Sequence, residues 1–333
     1  MEDPILRVDT LKKHFRSSIG WLGRKTSLVR ALDGVSLAVS QGETFGLVGE
    51  SGCGKSTLGK TILGIYRPTQ GSVIFEGRDT THLSRKEMVG VRKDIQYVYQ
   101  NPGSSLDPRW KVKKILAEPL LIHTSARGAA VEKKVEEMME AVGLTREQLS
   151  LYPHEFSGGQ QRRLGLARIL TLNPKVVILD EPTSGLDVSV QATILKLFTA
   201  LKSRFHLTYL FISHNLGVVQ MMCGRVAVMY GGKIVELGDT SRLFADPLHP
   251  YTKVLLAAIP VVGKRKEEEL SLSGEPPDPA DFPSGCRFWP RCPSKEDRCT
   301  TEEPALVALD EGRAVSCHLF SRSINEENAG PSA

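Results

Sequence analysis

Between residues 28 and 48, apolar and polar positions alternate twice around a turn. The run LVRALDGVSLAVS has the period of two that predicts a strand with one buried face; Gln41-Gly42 turns the chain, and ETFGLVG leads into a glycine-rich loop. That loop opens a helix beginning near Lys55 and ending around Gly64, and GSVIFEG (71–77) predicts another short strand. From 131 to 142 the period changes: Val131, Val135, Met138, Met139 and Val142 fall on one helical face, with Gly143 suited to the C-terminal cap. KVVILD (175–180) is a continuous apolar run, as a strand buried on both faces requires, and LTYLFISH (207–214) repeats it. RVAVMYGGKIVELG (225–238) predicts a hairpin turned at Gly231-Gly232. Strands alternating with helices predict an α/β domain whose pattern ends near residue 240.

Past about residue 262 the pattern stops. GKRKEEE is a solvated charge run, followed by a proline-rich segment and four cysteines without a clear helix or strand. A boundary there separates residues 1–262 from a small accessory module, 263–333. Composition narrows the classes: 41% hydrophobic and 24% charged residues suit a globular chain, and the net charge of +5 is spread too evenly for a nucleic-acid surface. The start, MEDPILRVDT, is acidic and broken by Pro4, unlike a signal peptide, and no apolar stretch reaches the ~20 residues of a spanning helix. A soluble protein is expected, with any membrane role exerted through partners. In the reducing compartment this implies, clustered cysteines point to metal or redox chemistry before disulfides.

Gly49, Glu50, Ser51, Gly52, Cys53, Gly54, Lys55, Ser56 and Thr57 fit the phosphate-binding P-loop, in the strand-to-helix context it requires. The glycines let backbone N–H groups turn inward around phosphates; Lys55 is placed for the β/γ-phosphates of ATP and Ser56 for Mg²⁺. The bare pattern arises by chance in about one chain of this size per hundred, and the context lowers that further. VVILDE (176–181) supplies a second part: a buried strand delivering Asp180, a carboxylate able to hold Mg²⁺ through water, then Glu181 to deprotonate an attacking water. Alone, such a strand end is usually just a turn; the P-loop gives it meaning.

Phe156-Ser157-Gly158-Gly159-Gln160, with Gln100, Ser184-Gly-Leu-Asp187 and His214, resembles the ABC ATPase family. The family signature carries leucine where Phe156 stands. The resemblance implies an α/β fold with a mixed sheet, a helical subdomain and antiparallel strands. It also implies that Ser157, Gly158 and Gly159 contact the γ-phosphate of ATP held on a second ATPase subunit. Small residues opening a helix suit that role, since they offer N–H groups and a positive dipole end. By the same resemblance Gln100 touches Mg²⁺ and the attacking water, Asp187 communicates between sites, and His214 contacts the γ-phosphate. Phe15 stacks on adenine, where tyrosine is commoner.

The likeness extends over the whole chain to the dipeptide/oligopeptide importer ATPases. It is carried by Gln100-Asn-Pro with Ser105-Leu-Asp-Pro108, Tyr152-Pro-His-Glu, His249-Pro-Tyr-Thr252, Trp21-Leu-Gly-Arg-Lys25 and Gly285-Cys-Arg-Phe-Trp-Pro-Arg-Cys-Pro293. This implies a peripheral subunit on the cytoplasmic face of the membrane, paired with an identical or related ATPase under two permeases. An extracytoplasmic binding protein supplies the solute, peptides by preference, though nickel and oligosaccharide importers share this tail. Two other classes compete. A soluble ABC ATPase acting on ribosomes or nucleic acid usually has two cassettes or a long coiled coil, and this chain has one P-loop and no sustained heptads. A subunit without turnover would lack Lys55, Glu181 or His214, and all three are present.

Cys286, Cys292, Cys299 and Cys317 are separated by five, six and seventeen residues. A segment burying so little apolar surface needs a staple. Zinc sites favour tighter pairs, so the spacing and the resemblance point to a [4Fe–4S] cluster, with zinc, or four free thiols without a metal, as the alternatives. His318 is a neighbour able to substitute as a ligand. Distance in sequence from every ATP-site motif assigns the tail a structural role.

Overall fold

The computed structural model describes residues 3–19, 25–100, 103, 106–258, 274–310 and 312–320. The strands are β1 (Leu6–Ile19), β2 (Lys25–Val39), β3 (Thr44–Val48), β4 (Gln70–Phe75), β5 (Arg78–Asp79), β6 (Ile95–Val98), β7 (Val176–Asp180), β8 (Thr208–Ile212), β9 (Arg225–Tyr230), β10 (Lys233–Asp239), β11 (Val307–Asp310) and β12 (Arg313–Val315). The helices are α1 (Lys55–Ile62), α2 (Arg85–Asp94), α3 (Val112–His123), α4 (Ala129–Ala141), α5 (Gly158–Leu170), α6 (Val188–Phe205), α7 (Leu216–Met222), α8 (Thr240–Ala245) and α9 (Pro250–Ala257). Contacts divide the chain into two compact units, one of Met1–Ile5, Val39–Thr44 and His82–Ile212, the other of Leu6–Ala38, Phe45–Thr81 and Ser213–Ala333.

In the first unit β6, β7 and β8 pair in parallel, with Val177 opposite Gln96 on one side and Tyr209 on the other. Every residue of β7 and β8 is buried, which is why both read as unbroken apolar runs. Helices α3, α4 and α5 pack on one another. Val131, Val135, Met138 and Met139 form the buried stripe of α4, and Gly143 takes the left-handed conformation just past it (φ 70°). Helix α3 runs on through Pro119, which apolar periodicity alone does not resolve.

In the second unit β3 and β9 are parallel, whereas β9, β10, β12 and β11 follow one another antiparallel, so the sheet is mixed. A separate four-stranded sheet has the order β2-β1-β4-β5. The expected Gly231-Gly232 turn joins β9 to β10, both glycines having positive φ. The tail does form strands: β12 pairs with β10, setting Val315 opposite Glu236. They are three and four residues long and draw their stability from β10, so local pattern does not announce them. The break expected at 262/263, GKRKEEE, Trp21 to Arg24, Asn101, Pro102 and Ser105 lie outside the described residues.

Candidate functional site

In the second unit, β3 runs into the loop 49–54 and α1 begins at Lys55. Two glycines have no substitute. A Cβ on Gly54 (φ 108°) would lie 2.4 Å from the Ala31 carbonyl oxygen, and one on Gly49 2.2 Å from that of Met229. Both obstacles are backbone and cannot swing aside. Lys55 is 6% exposed, and its Nζ donates to the carbonyls of Gly49 (2.7 Å) and Glu50 (2.8 Å), 3.6 Å from Cys53 Sγ. Burial raises the Cys53 thiol pKa. The ammonium therefore sits inside the loop, held by carbonyl oxygens that a phosphate could replace. No side chain caps α1, which suits an anion at that end. Ser51 and Gly52 are exposed, Ser56 and Thr57 half-buried.

Phe15 in the same unit is half-buried, edge-on to Tyr66 at 5.2 Å, with Lys13 Nζ 4.7 Å from its ring centre. Tyr66 went unread in the sequence because nothing in its neighbourhood marks it. His214 is exposed, following Ser213, whose N–H donates to Leu47 O (3.1 Å); Asn215 caps α7.

The first unit carries the other candidates. Asp180, 5% exposed at the end of β7, accepts a 2.6 Å hydrogen bond from Tyr97 Oη. The neighbouring strand β6 thus fixes the carboxylate, a partner that the reading of 175–181 alone missed. Glu181 is left-handed (φ 52°), a conformation costing a side-chain-bearing residue about 1–2 kcal/mol, and its N–H donates to Ile212 O. Such strain clusters where geometry serves function. Gln100 is exposed beyond β6.

Phe156 is 5% exposed, so the departure from leucine is absorbed in packing. Ser157 caps α5: its Oγ accepts from Gln160 N (3.3 Å) while Gln160 Oε1 accepts from Ser157 N (2.9 Å). Ser157 and Gly158 are exposed and Gly159 is half-buried. From the same helix Arg162 donates to the carbonyls of Pro182 and Ser184, tying α5 to the loop after Glu181. Desolvation lowers the pKa of its guanidinium. Asp187 caps α6, its Oδ1 accepting from Val190 N (2.9 Å) and Ser189 Oγ (2.8 Å), which holds the carboxyl below its usual range. The P-loop, Phe15 and His214 thus belong to one unit; Gln100, Ser157 to Gln160, Asp180, Glu181 and Asp187 belong to the other.

The cysteine tail falls in the unit of the P-loop. Cys299 and Cys317 are buried, Cys286 and Cys292 half-buried, and all are free thiols. Burial pushes Cys286 and Cys317 up to about 11 and raises Cys292, and the mutual influence of the sulfurs adds to it. Among the described residues, however, no group of three or more His, Cys, Asp or Glu side chains is arranged to hold a metal ion. The arrangement therefore supports neither the zinc alternative nor the expected iron–sulfur cluster. His318 Nε2 is instead paired with the Glu302 carbonyl at 2.9 Å. Though distant in sequence from the ATP motifs, the tail touches one of them: Arg291 donates to Glu50 of the P-loop.

Among the described residues no helix is long and apolar enough to cross a membrane. The ABC transporter family matches residues 32–184, and the oligopeptide/dipeptide transporter C-terminal region matches 235–299. The chain is 46% identical to the oligopeptide transport ATP-binding protein AppF of Bacillus subtilis, over 96% of its own length and 98% of that protein. It is 45% identical to the di/tripeptide transport ATP-binding protein DppF of Pseudomonas aeruginosa, over 95% and 98%. Among solved structures, cbiO1 of Clostridium perfringens, part of the transporter complex cbiONQ, aligns with a TM-score of 0.64 and 28% identity, covering 74% of this chain and 92% of that one. A bacterial ABC transporter cassette solved as a dimer gives 0.62 and 26%, covering 71% and 98%. The chain belongs to the ABC transporter family, among its oligopeptide/dipeptide-type ATP-binding proteins.

Proposed function

We propose that this chain is the ATP-hydrolysing subunit of an ABC importer for peptides, working as a dimer of ATPases beneath two permeases at the cytoplasmic face of the membrane. The observation that carries the proposal is the P-loop, with Lys55 held on displaceable carbonyls, in a chain similar end to end to peptide-transport ATP-binding proteins.

ATP enters the P-loop, and the Lys55 ammonium exchanges the carbonyls of Gly49 and Glu50 for phosphate oxygens. By the family resemblance Ser56 and Gln100 would hold Mg²⁺ and Asp180 would serve it through water, and the ion would neutralise phosphate charge. Phe15, with Tyr66 at its edge, offers a stacking face to the adenine. Glu181 takes a proton from the attacking water as its oxygen joins the γ-phosphorus and the bond to the β–γ bridging oxygen breaks, releasing ADP and phosphate. His214 orients the γ-phosphate. Ser157, Gly158 and Gly159 serve the nucleotide of the partner ATPase, and Asp187 lies in the adjoining loop.

An iron–sulfur cluster on Cys286, Cys292, Cys299 and Cys317 belongs to the proposal only as its finer part. What speaks for it is the kind and number of donors, four free thiols in one tail, and not their present arrangement. A cube of four irons spreads its thiolates wider than a single ion does.

The test is deletion of this chain in its host, followed by uptake of labelled di- and oligopeptides, nickel and oligosaccharides. Loss of peptide uptake alone, restored by the wild-type chain but not by a Lys55→Ala variant, is expected. Unchanged peptide uptake, or loss of nickel or oligosaccharide uptake instead, overturns the peptide assignment. Co-purification with nucleic acid rather than polytopic membrane proteins overturns the transporter reading.

A further inference from the structure

We infer that Arg291, from the cysteine tail, is a positioning residue for nucleotide binding: it clamps Glu50 and so holds the P-loop in its phosphate-accepting shape. The inference rests on the P-loop being the ATP site. Glu50 is the one charged residue between Gly49 and Gly54. Its carboxylate is gripped by both terminal nitrogens of Arg291, Nη1 to Oε2 at 2.7 Å and Nη2 to Oε1 at 3.0 Å. This is the two-pronged geometry in which guanidinium–carboxylate pairs are strongest. The Arg291 side chain is 6% exposed and that of Glu50 22%, so the pair is shielded from solvent screening. Arg291 also donates to Tyr230 Oη at 3.3 Å.

The other polar groups of Glu50 are held as well. Its N–H donates to Tyr251 Oη (2.8 Å), and its carbonyl accepts from Lys55 Nζ (2.8 Å) and Cys53 N (3.3 Å). Of these contacts, the one from Lys55 is lost when the ammonium turns to a phosphate, and those of Arg291 and Tyr251 remain. Arg291 has a second effect. A carboxylate inside a phosphate-binding loop repels the ligand unless a cation neutralises it, and Arg291 supplies that cation.

The tail is built to present this side chain. Phe288, 1% exposed, packs against Tyr230, Tyr251 and His249, with ring centres 5.1, 5.4 and 5.7 Å apart. Arg287, on its other flank, donates to Gly231 O and to the Asp33 carboxylate. The adjacent Gly232 N–H donates to Cys53 O at 3.0 Å, so the β9–β10 turn braces the P-loop from the same side. Tyr251 explains why His249-Pro-Tyr-Thr252 carries a distinctive motif far from any phosphate.

The experiment uses the full-length chain in its transporter complex, with MgATP as the probe. Arg291→Gln, Arg291→Lys, Glu50→Gln and the double variant Glu50→Gln/Arg291→Gln are compared by KM, kcat and thermal melting. Arg291→Gln should raise KM for MgATP about tenfold with kcat within about twofold of wild type, because a charge-assisted pair is lost and its anion exposed. Arg291→Lys, which keeps the charge, should recover part of the loss. The double variant should return to within about twofold of Glu50→Gln alone, since no uncompensated carboxylate remains. An unchanged KM in Arg291→Gln, or losses that simply add in the double variant, overturns the inference. Should Arg291→Gln fail to fold, Arg291→Lys decides: KM equal to wild type refutes the two-pronged clamp. Wild-type protein without MgATP hydrolysis would refute the ATPase reading instead, so the two failures are distinguishable.

Discussion

Protonating His249 should loosen the unit that carries the P-loop. The ring is 1% exposed, and its Nδ1 accepts a 3.0 Å hydrogen bond from Tyr251 N at the start of α9. An imidazolium cannot accept that bond. Desolvation lowers the pKa to about 3 from an ordinary 6.5, against a smaller opposing effect of the bond with the Ser316 backbone. The sign follows from linkage: the unfolded chain takes up the proton below pH 6.5 while the folded chain refuses it until near 3. Stability from this group is complete above pH 6.5 and drains away as the pH falls through that window. Between pH 7.5 and 4.5 the loss is on the order of 3 kcal/mol, since the folded ring is still neutral at the lower limit.

Urea unfolding followed by tryptophan fluorescence measures this directly, because Trp289 lies beside Phe288, whose ring faces His249. With m of about 1–3 kcal/mol per molar, the wild-type midpoint should fall by about 1 M or more across the window. His249→Asn retains a capping acceptor but no titrating group, and its midpoint should change far less. The Asp33 carboxyl does not interfere: burial raises its pKa, but the hydrogen bond and charge of Arg287 bring it below its usual 3.8, so its contribution is lost only at lower pH. Parallel midpoint curves for wild type and His249→Asn would refute the assignment of a buried neutral imidazole.

Gly54→Ala should abolish nucleotide binding because its Cβ meets the Ala31 carbonyl, whereas Gly52→Ala, with φ of 81° but nothing within 4 Å, should cost only about 1–2 kcal/mol in a thermal melt; equal effects in a nucleotide titration would contradict the geometry. Glu181→Gln should bind MgATP normally yet hydrolyse it about a hundredfold more slowly or worse, and near-normal turnover would dismiss it as the base. Tyr97→Phe, which removes the hydroxyl held by Asp180, should weaken the Mg²⁺ dependence of hydrolysis, read as a raised half-saturating Mg²⁺ concentration. Anaerobically purified protein should contain about four irons per chain, which Cys292→Ser should remove and Cys53→Ser should not; colourless, iron-free protein rejects the cluster and leaves the ATPase reading intact.

What the sequence made legible is what local chemistry encodes. The P-loop is nine consecutive residues whose glycines are dictated by backbone they meet at once, and β7 advertises its burial because it is covered on both faces. Ser157 to Gln160 is a closed local circuit, a cap and its reciprocal partner three residues on. Each could be read from a window shorter than a helix. Tyr97, Arg162 and Tyr66 could not, since each acts on a residue supplied by another element: Asp180, the carbonyls after Glu181, and Phe15.

The tail's link to the P-loop is of this non-local kind. Its cysteines draw the eye because thiols imply metal, while Arg287 and Arg291 among them look like ordinary surface charge. Yet Arg291 and Glu50 stand 241 residues apart in sequence and 2.7 Å apart in space. A buried guanidinium costs free energy unless its prongs find a carboxylate, and Glu50 supplies both oxygens. Tail and P-loop share a single unit. Whatever fixes the 286–292 segment, thiol packing or a bound cluster, therefore sets how firmly Glu50 is held.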